Sequence, residues 1–377
     1  ISVAAGDGIK FKVGQWLNVY SGGVGGSLAV KISNISGDTI TCSSAFRLEA
    51  GGTWAAGATV AASGNLVELM DGCSLVDLIL DGNTTNAPYA SWQTNAEVQM
   101  RGQDVTVYRC TIQNASGEGI VETCVSPFTD SRNKIAYNVI TGIKGNGVHL
   151  SASWGCQVVN NYMYDCNSNG AAVGHSGGCI TLSNYVTHPL IANNHLELGR
   201  AGVGQVDSND NSIITISGNT VLNMSTYMIE CRGNTIALNN IKIVNNRFYN
   251  DTAPATSELI SVSIEDVGNT DYFREIVVAG NTFRNAGLVL RRVDGCSVTA
   301  NSFSTTYQAA DVYHNPIRIT NGVNTVIASN VTKYGYSGLQ IYGDHAGLNV
   351  IGNTFNLGYY YGISITGGAG NSLVSFT

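Results

Sequence analysis

Charge is scarce in this chain. Asp, Glu, Lys and Arg make up 12% of its 377 residues, about half of the roughly 25% usual in globular domains. The charged outer faces of an α-helical bundle cannot be built from so few such residues, and such a bundle is excluded. Only 19 residues are Lys or Arg, against 26 Asp or Glu, giving a net charge of −7. No basic surface is available to make nucleic acid the main partner. No apolar run approaches the roughly 18 residues of a membrane span, so membrane insertion is not expected. The nine cysteines are odd in number and contain no CxxC pair. A zinc site and a disulfide framework are therefore not expected, and most of the thiols should be small buried apolar groups. No cofactor motif occurs, and Asp207, Asn209 and Asp210 lack the full ligand run of a calcium loop, so no metal is expected. The chain opens on Ile1 with no basic and apolar leader behind it, which reads as a processed or excised chain. Disorder is excluded by the 44% of hydrophobic residues and a net charge that is small for the length.

Glycine and asparagine are abundant, at 45 and 39 residues. Length alone suggests two or three domains, although an elongated all-β body can use as many residues in one piece. The asparagines are not scattered. A pattern of Ile or Val, two residues, Asn, one residue and a hydrophobic recurs at Asn138, Asn161, Asn194, Asn219, Asn246, Asn281, Asn301, Asn330 and Asn353. The residue three before each is Ile or Val. The residue two after is apolar in every copy except Thr332. Weaker copies lie upstream around Cys110 and, three residues past Leu78, at Asp81. Counted from Asp81, the mean period is about 27 residues, with no helical pattern inside it.

That period predicts a coil of three short strands joined by turns, each coil stacked on the last at about 4.8 Å. Asn at a sharp turn tolerates a left-handed backbone, and its amide can bond to the Asn one coil above and below. The nine asparagines are thus expected to form a structural ladder. A second strand is written Gly, apolar, x, apolar, as in Gly147 to Leu150 and Gly338 to Ile341. A third begins with Gly-Cys or Gly-Leu, as at Gly155-Cys156 and Gly295-Cys296. Residues 1–65 lack the repeat. Alternating apolar and polar residues with turn signals such as Gly37-Asp38 predict a small N-terminal β cap module there. The fold expected is all-β: a right-handed parallel β-helix of about eleven coils over 66–377, behind the cap.

The coils VVNNYM (158–163), IVNNRF (243–248), VAGNTF (278–283) and VIGNTF (350–355), with GISI (362–365), resemble the right-handed parallel β-helix of pectate-lyase-like proteins. KISNISGDTITCSSA (31–45) followed by LILDGN (78–83) resembles, more narrowly, bacteriophage tailspikes that degrade bacterial surface polysaccharide. The resemblance covers about residues 66–370. It implies a polysaccharide partner, a homotrimer and a virion-tail location, or otherwise a secreted protein. No catalytic signature of that group stands intact here, so no site residue is carried over from it.

Candidate chemistry must come from outward strand positions. In the Gly, apolar, x, apolar strand the x faces solvent, which places His149, Thr181, Glu230, Ser261 or Ser263, Arg318 and Gln340 outward. Two residues on stand Ser151, Ser183, Arg232, Glu265, Arg291, Thr320 and Tyr342. Glycoside hydrolysis needs two carboxyl groups about 5 to 9.5 Å apart, a spacing that stacked coils supply readily. Glu230 and Glu265 are the leading pair, with Asp207 as substitute. Solvated surface carboxylates paired with Arg232 are the alternative. A second cluster is Glu118, flanked by glycines, with Glu122 expected to face out beside His149. A uronate lyase or epimerase would instead need a base such as His, Lys or Tyr and a cation or amide to neutralise the sugar carboxylate, roles that His149, Lys144, Tyr227 and Arg232 could fill. Tyr227, Trp154, Tyr185 and Tyr342 offer faces for sugar rings. Three functions stay open: a polysaccharide depolymerase acting by hydrolysis, a lyase or epimerase, and a non-catalytic glycan-binding spike.

Overall fold

The computed structural model describes residues 16–20, 27–37, 39–42, 59–62, 67–82, 96–123, 130–167, 177–183, 186–206, 212–233, 239–251, 259–266, 272–305, 315–356, 361–366 and 372–376. Between residues 16 and 62 lies a four-stranded antiparallel sheet. Trp16–Tyr20 pairs with both Ser27–Ser36 and Thr59–Ala62, and Ser27–Ser36 folds back onto Thr39–Cys42. From Val67 onward all strand pairing is parallel and falls into three long sheets.

Each coil contributes one strand to each sheet. The pre-turn sheet carries the Ile or Val of the repeat, with Leu75, Val107, Ile135, Val158, Ile191 and Ile216 in one register row. The post-turn sheet follows the asparagine and stacks Leu80, Ile112, Ile140, Met163, Leu196, Val221, Phe248, Phe283 and Phe303. From Ile112 on, every member of that row is fully buried, worth about 1.5–3 kcal/mol for each side chain withdrawn from water. The three phenylalanines stack with centroids 4.9 and 4.3 Å apart. The third, or flank, sheet holds the Gly, apolar, x, apolar strands. Cys110, Cys156, Cys166, Cys179, Cys231 and Cys296 are buried free thiols, while Cys73 is exposed.

The predicted ladder is present and complete. From Asn138 to Asn330, each asparagine donates its backbone N–H to Oδ1 of the next at 2.8–3.0 Å. Its Nδ2 donates to the same oxygen at 2.9–3.1 Å. The other Nδ2 hydrogen goes to the carbonyl of the repeat's Ile or Val one coil back, for example Asn219 to Ile191 at 2.9 Å. Every polar atom of the buried amide is thereby used, as burial demands.

Two expectations about the turn are corrected. The left-handed residue is the one before each ladder asparagine: Tyr137, Asn160, Asn193, Gly218, Asn245, Gly280, Ala300, Ser329 and Gly352 all have φ between 54° and 66°. At Gly218 an added Cβ would also run into Asn193 Oδ1. In addition, Leu78 rather than Asp81 occupies the ladder position of the first coil. Thr111 N–H bonds to the Leu78 carbonyl just as Val139 bonds to Cys110 and Tyr162 to Asn138. Cys110 closes the ladder, its N–H donating to Asn138 Oδ1 at 2.9 Å and its thiol lying 3.5 Å from the Leu75 carbonyl.

Candidate functional site

The flank sheet sorts its side chains into two outward rows. One runs Gln99, Val121, His149, Thr181, Gly204, Glu230, Ser263, Val289, Arg318, Gln340 and Ser364. The other, two residues on, holds Thr123, Ser151 and Ser183 in the early coils. In the later coils it holds Arg232, Glu265, Arg291, Thr320, Tyr342 and Thr366. Between them run the inward residues Met100, Leu150 and Leu182.

Glu122 belongs to that inward row. It pairs with Met100 and Leu150 and is 0% exposed, so the expectation that it faces out beside His149 is corrected. Asn133 Nδ2 donates to its Oε1 at 2.9 Å. Burial pushes its carboxyl upward, against the opposing pull of Ser153, Asn133, Ser131 and Cys156. Glu122 thus lies in the core of the solenoid, in register between Met100 and Leu150.

Glu118 and His149, read from the sequence as parts of one loose cluster, are brought into direct contact. His149 Nδ1 lies 2.9 and 3.1 Å from the two Glu118 oxygens. On the other side of the ring, His149 Nε2 lies 2.6 Å from Ser183 Oγ. The three residues come from three successive coils and are 2%, 8% and 6% exposed. Asn146 fixes the carboxylate, donating Nδ2 to Glu118 Oε1 at 2.8 Å. Its own Oδ1 accepts from Thr181 Oγ1 at 2.8 Å and Gly178 N–H at 3.0 Å. Burial alone would lower the His149 pKa, but the charge and hydrogen bond of Glu118 overcome it and hold the imidazole above its ordinary value.

The mid-coil pair is arranged differently. Glu230 is 1% exposed although it occupies an outward row, so the solvated surface carboxylate is not what is found. Its register partner is Ser263, whose hydroxyl donates to Glu265 Oε1 at 2.7 Å. Glu265, half-buried, sits opposite Arg232 and Arg291. Glu230 and Glu265 are therefore diagonal neighbours on adjacent strands with a serine between them.

The aromatic candidates divide. Tyr342 is 47% exposed at the end of the second outward row, and Arg291 on that row is exposed too. Tyr227 is half-buried and lies in register with Ala201 and Ser261, beyond the two outward rows. Trp154, half-buried, stacks on His188 with centroids 5.4 Å apart, at a turn away from the flank. Asp207, Tyr185 and the Arg232 side chain lie outside the described residues.

Sequence reasoning passes over three groups that matter here. Ser183 was placed outward but given no role, and Asn146 was unmarked. Glu97, also unmarked, is 7% exposed beside Asp81, and burial followed by the Asp81 charge pushes its carboxyl up to about 7. Among the described residues no three His, Cys, Asp or Glu side chains gather closely enough to hold a metal ion.

Residues 96–283 match the family described as right handed beta helix region. Among solved structures, PfbA, a surface adhesin of Streptococcus pneumoniae, is similar at 12% identity over 77% of this chain and 80% of that one, TM-score 0.50. A second PfbA structure gives 14% identity over 83% and 91%, again with TM-score 0.50. DFA-IIIase from Arthrobacter chlorophenolicus A6 in complex with GF2 is similar at 14% identity over 70% and 68%, TM-score 0.49. No curated protein matches the chain. At such identities the likeness is one of fold alone. The family match and the three stacked parallel sheets make this chain a right-handed parallel β-helix.

Proposed function

We propose that the chain is a tailspike-like depolymerase that binds a bacterial surface polysaccharide along its flank sheet and hydrolyses it. The observation that carries this reading is the Glu230, Ser263, Glu265 arrangement. One carboxyl group is withdrawn from water at 1% exposure, and the other is half-exposed and hydrogen-bonded. Glycoside hydrolysis calls for two carboxyl groups in different roles, an acid and a base or nucleophile. Their backbone positions are a diagonal step of about 8 Å apart, given strand spacing and rise, from which the carboxyl groups can reach either glycosidase separation. The exposed Arg291 and Tyr342 continue the same row for several coils, as a polymer site would require. A weakly charged protein surface also suits a hydroxyl-rich chain. By the same tailspike resemblance the assembly is a homotrimer on a virion tail, which light scattering of the purified protein tests.

Incubation with purified capsular and O-antigen polysaccharides, followed by mass spectrometry, tests the reaction. Fragments that gain one water, lost in Glu230→Gln and Glu265→Gln, are the expected result. Unsaturated ends absorbing in the ultraviolet would move the chemistry to elimination with His149 as base. An intact but retained polymer would leave a binding spike.

A further inference from the structure

Strand pairing does not require the His149 at the centre of the Glu118, His149, Ser183 array. The same outward row carries Val121, Thr181 and Gly204 in neighbouring coils without loss of strand pairing. Nor does the proposed glycosidic cleavage use it. Yet its geometry is directional. Both Glu118 oxygens lie within hydrogen-bond distance of Nδ1, and a carboxylate only accepts, so Nδ1 carries a proton. In the neutral ring Nε2 is then the free acceptor, and the group 2.6 Å from it is the Ser183 hydroxyl. Nucleophile, base and orienting carboxylate stand in hydrogen-bond sequence, recognised by geometry and not by order in the chain. Asn146, anchored by Thr181 and Gly178, keeps Glu118 from turning away.

We propose that Ser183 is the nucleophile of an ester-hydrolysing site, with His149 as its general base and acid and Glu118 as the positioning residue. The substrate class is a carboxylic ester, and on a polysaccharide an O-acyl substituent of a sugar. Ser183 Oγ bonds to the acyl carbon as His149 Nε2 takes the hydroxyl proton. The bond from acyl carbon to sugar oxygen breaks, and Nε2 returns that proton to the departing alcohol. Water then adds to the acyl-serine and gives a proton to Nε2. The acyl bond to Oγ breaks, Ser183 is re-protonated, and a carboxylic acid leaves. The net change is ester plus water to acid plus alcohol, with no redox partner. The polysaccharide as carrier of the ester rests on the function proposed above, whereas the acyl transfer does not.

A small ester therefore tests the chemistry without any glycan. The wild-type protein is treated with a fluorophosphonate probe, digested and mapped by mass spectrometry, and its hydrolysis of p-nitrophenyl acetate is followed from pH 5 to 9. The expected result is a single adduct on Ser183, hydrolysis at least 100-fold above Ser183→Ala, and at least 100-fold loss in Glu118→Gln, with the limb of its pH profile displaced to lower pH. A purely structural Glu118 would leave that limb in place. No adduct on wild-type Ser183, together with hydrolysis no faster than in Ser183→Ala, overturns the proposal. The adduct needs no variant to fold. Acetate release from an O-acetylated polysaccharide is measured separately. Small-ester turnover without it would reject the glycan carrier alone, while glycan fragmentation without small-ester turnover would reject the serine site alone.

Discussion

The asparagine column and the flank sheet are cut from the same repeat but solve opposite problems. In the column, from Asn138 to Asn330, each coil places the same side chain in the same hydrogen bonds, because each amide must satisfy the backbone of the coils on either side. On the flank the backbone is already satisfied by strand pairing, so the outward row can change from His149 to Thr181 to Glu230 over a few coils. Uniformity marks where the solenoid is held together, and variation marks where it is free to do chemistry. If this division is right, substitutions in the two regions must differ in kind.

The largest expected effect lies in the column. Asn219→Ala removes the acceptor of the Asn194 N–H and Nδ2 and the donor to the Ile191 carbonyl. Three buried polar groups lose their partner at about 1–3 kcal/mol each, so a cost of about 3–6 kcal/mol is expected in chemical denaturation. A loss below about 1 kcal/mol would mean that the ladder is ornament and that the two regions are not distinct.

Next comes the flank, where Glu118→Gln should lower stability by about 2 kcal/mol at pH 6, the loss of a charge-assisted hydrogen bond, and by less at pH 9. The sign follows from His149. In the wild type its pKa is raised in the fold, so the stabilisation is full below the unfolded value near 6.5 and is lost as pH rises through the folded one. With Gln in place, burial acts alone and turns the shift downward. Proton titration of the His149 ring by NMR, moving below its ordinary range in the variant, is the direct check.

The contrast also explains how much could be read in advance. The column was legible because strict repetition outweighs any single ambiguous residue. Its left-handed position was not, since Tyr137, Ala300 and Ser329 share it with Asn and Gly and spread the signal over five residue types. Asp81 was misplaced because the first coil offers Leu78 where later coils offer Asn, and an acidic residue three positions on looked closer to the pattern. Glu122 was assigned outward from its charge, although Gly119-Ile120-Val121 fixes the same phase as Gly147-Val148-His149. Phase, enforced by every neighbouring coil, overrides the polarity of one side chain. The serine array was hidden for another reason. Its members are 31 and 34 residues apart, and loops of unequal length must be subtracted before the register brings them together.

Glu97 sharpens the comparison at the boundary between structure and chemistry. Its carboxyl is pushed up to about 7 by burial and by Asp81, so the folded state holds a proton that the unfolded chain releases near 4.5. Stability is therefore unpenalised below about pH 4.5 and falls as pH rises toward 7. Glu97→Gln should gain about 1 kcal/mol at pH 8, after allowance for solvent screening, and nothing at pH 4. A gain that does not depend on pH would show that the charge was never the issue.

The smallest effect tests whether the column of core side chains beside the ladder tolerates exceptions. Thr332 stands between Phe303 and Phe355 in the post-turn sheet, fully buried, with a hydroxyl that has no hydrogen-bond partner. Its neighbours along the row are hydrophobic, and nothing in the packing calls for an oxygen there. Thr332→Val keeps the β-branched shape while removing the stranded donor, and burying an unsatisfied hydroxyl costs about 1–3 kcal/mol by mutational measure. Part of that is relieved if the hydroxyl turns toward a carbonyl during thermal motion, so a gain of about 1 kcal/mol is expected in the denaturation midpoint, with no change in any activity of the flank. A loss of stability instead would mean that the oxygen serves the coil in a way the hydrogen-bond pattern does not account for, and the rule that this row wants only apolar shape would fail at its one exception.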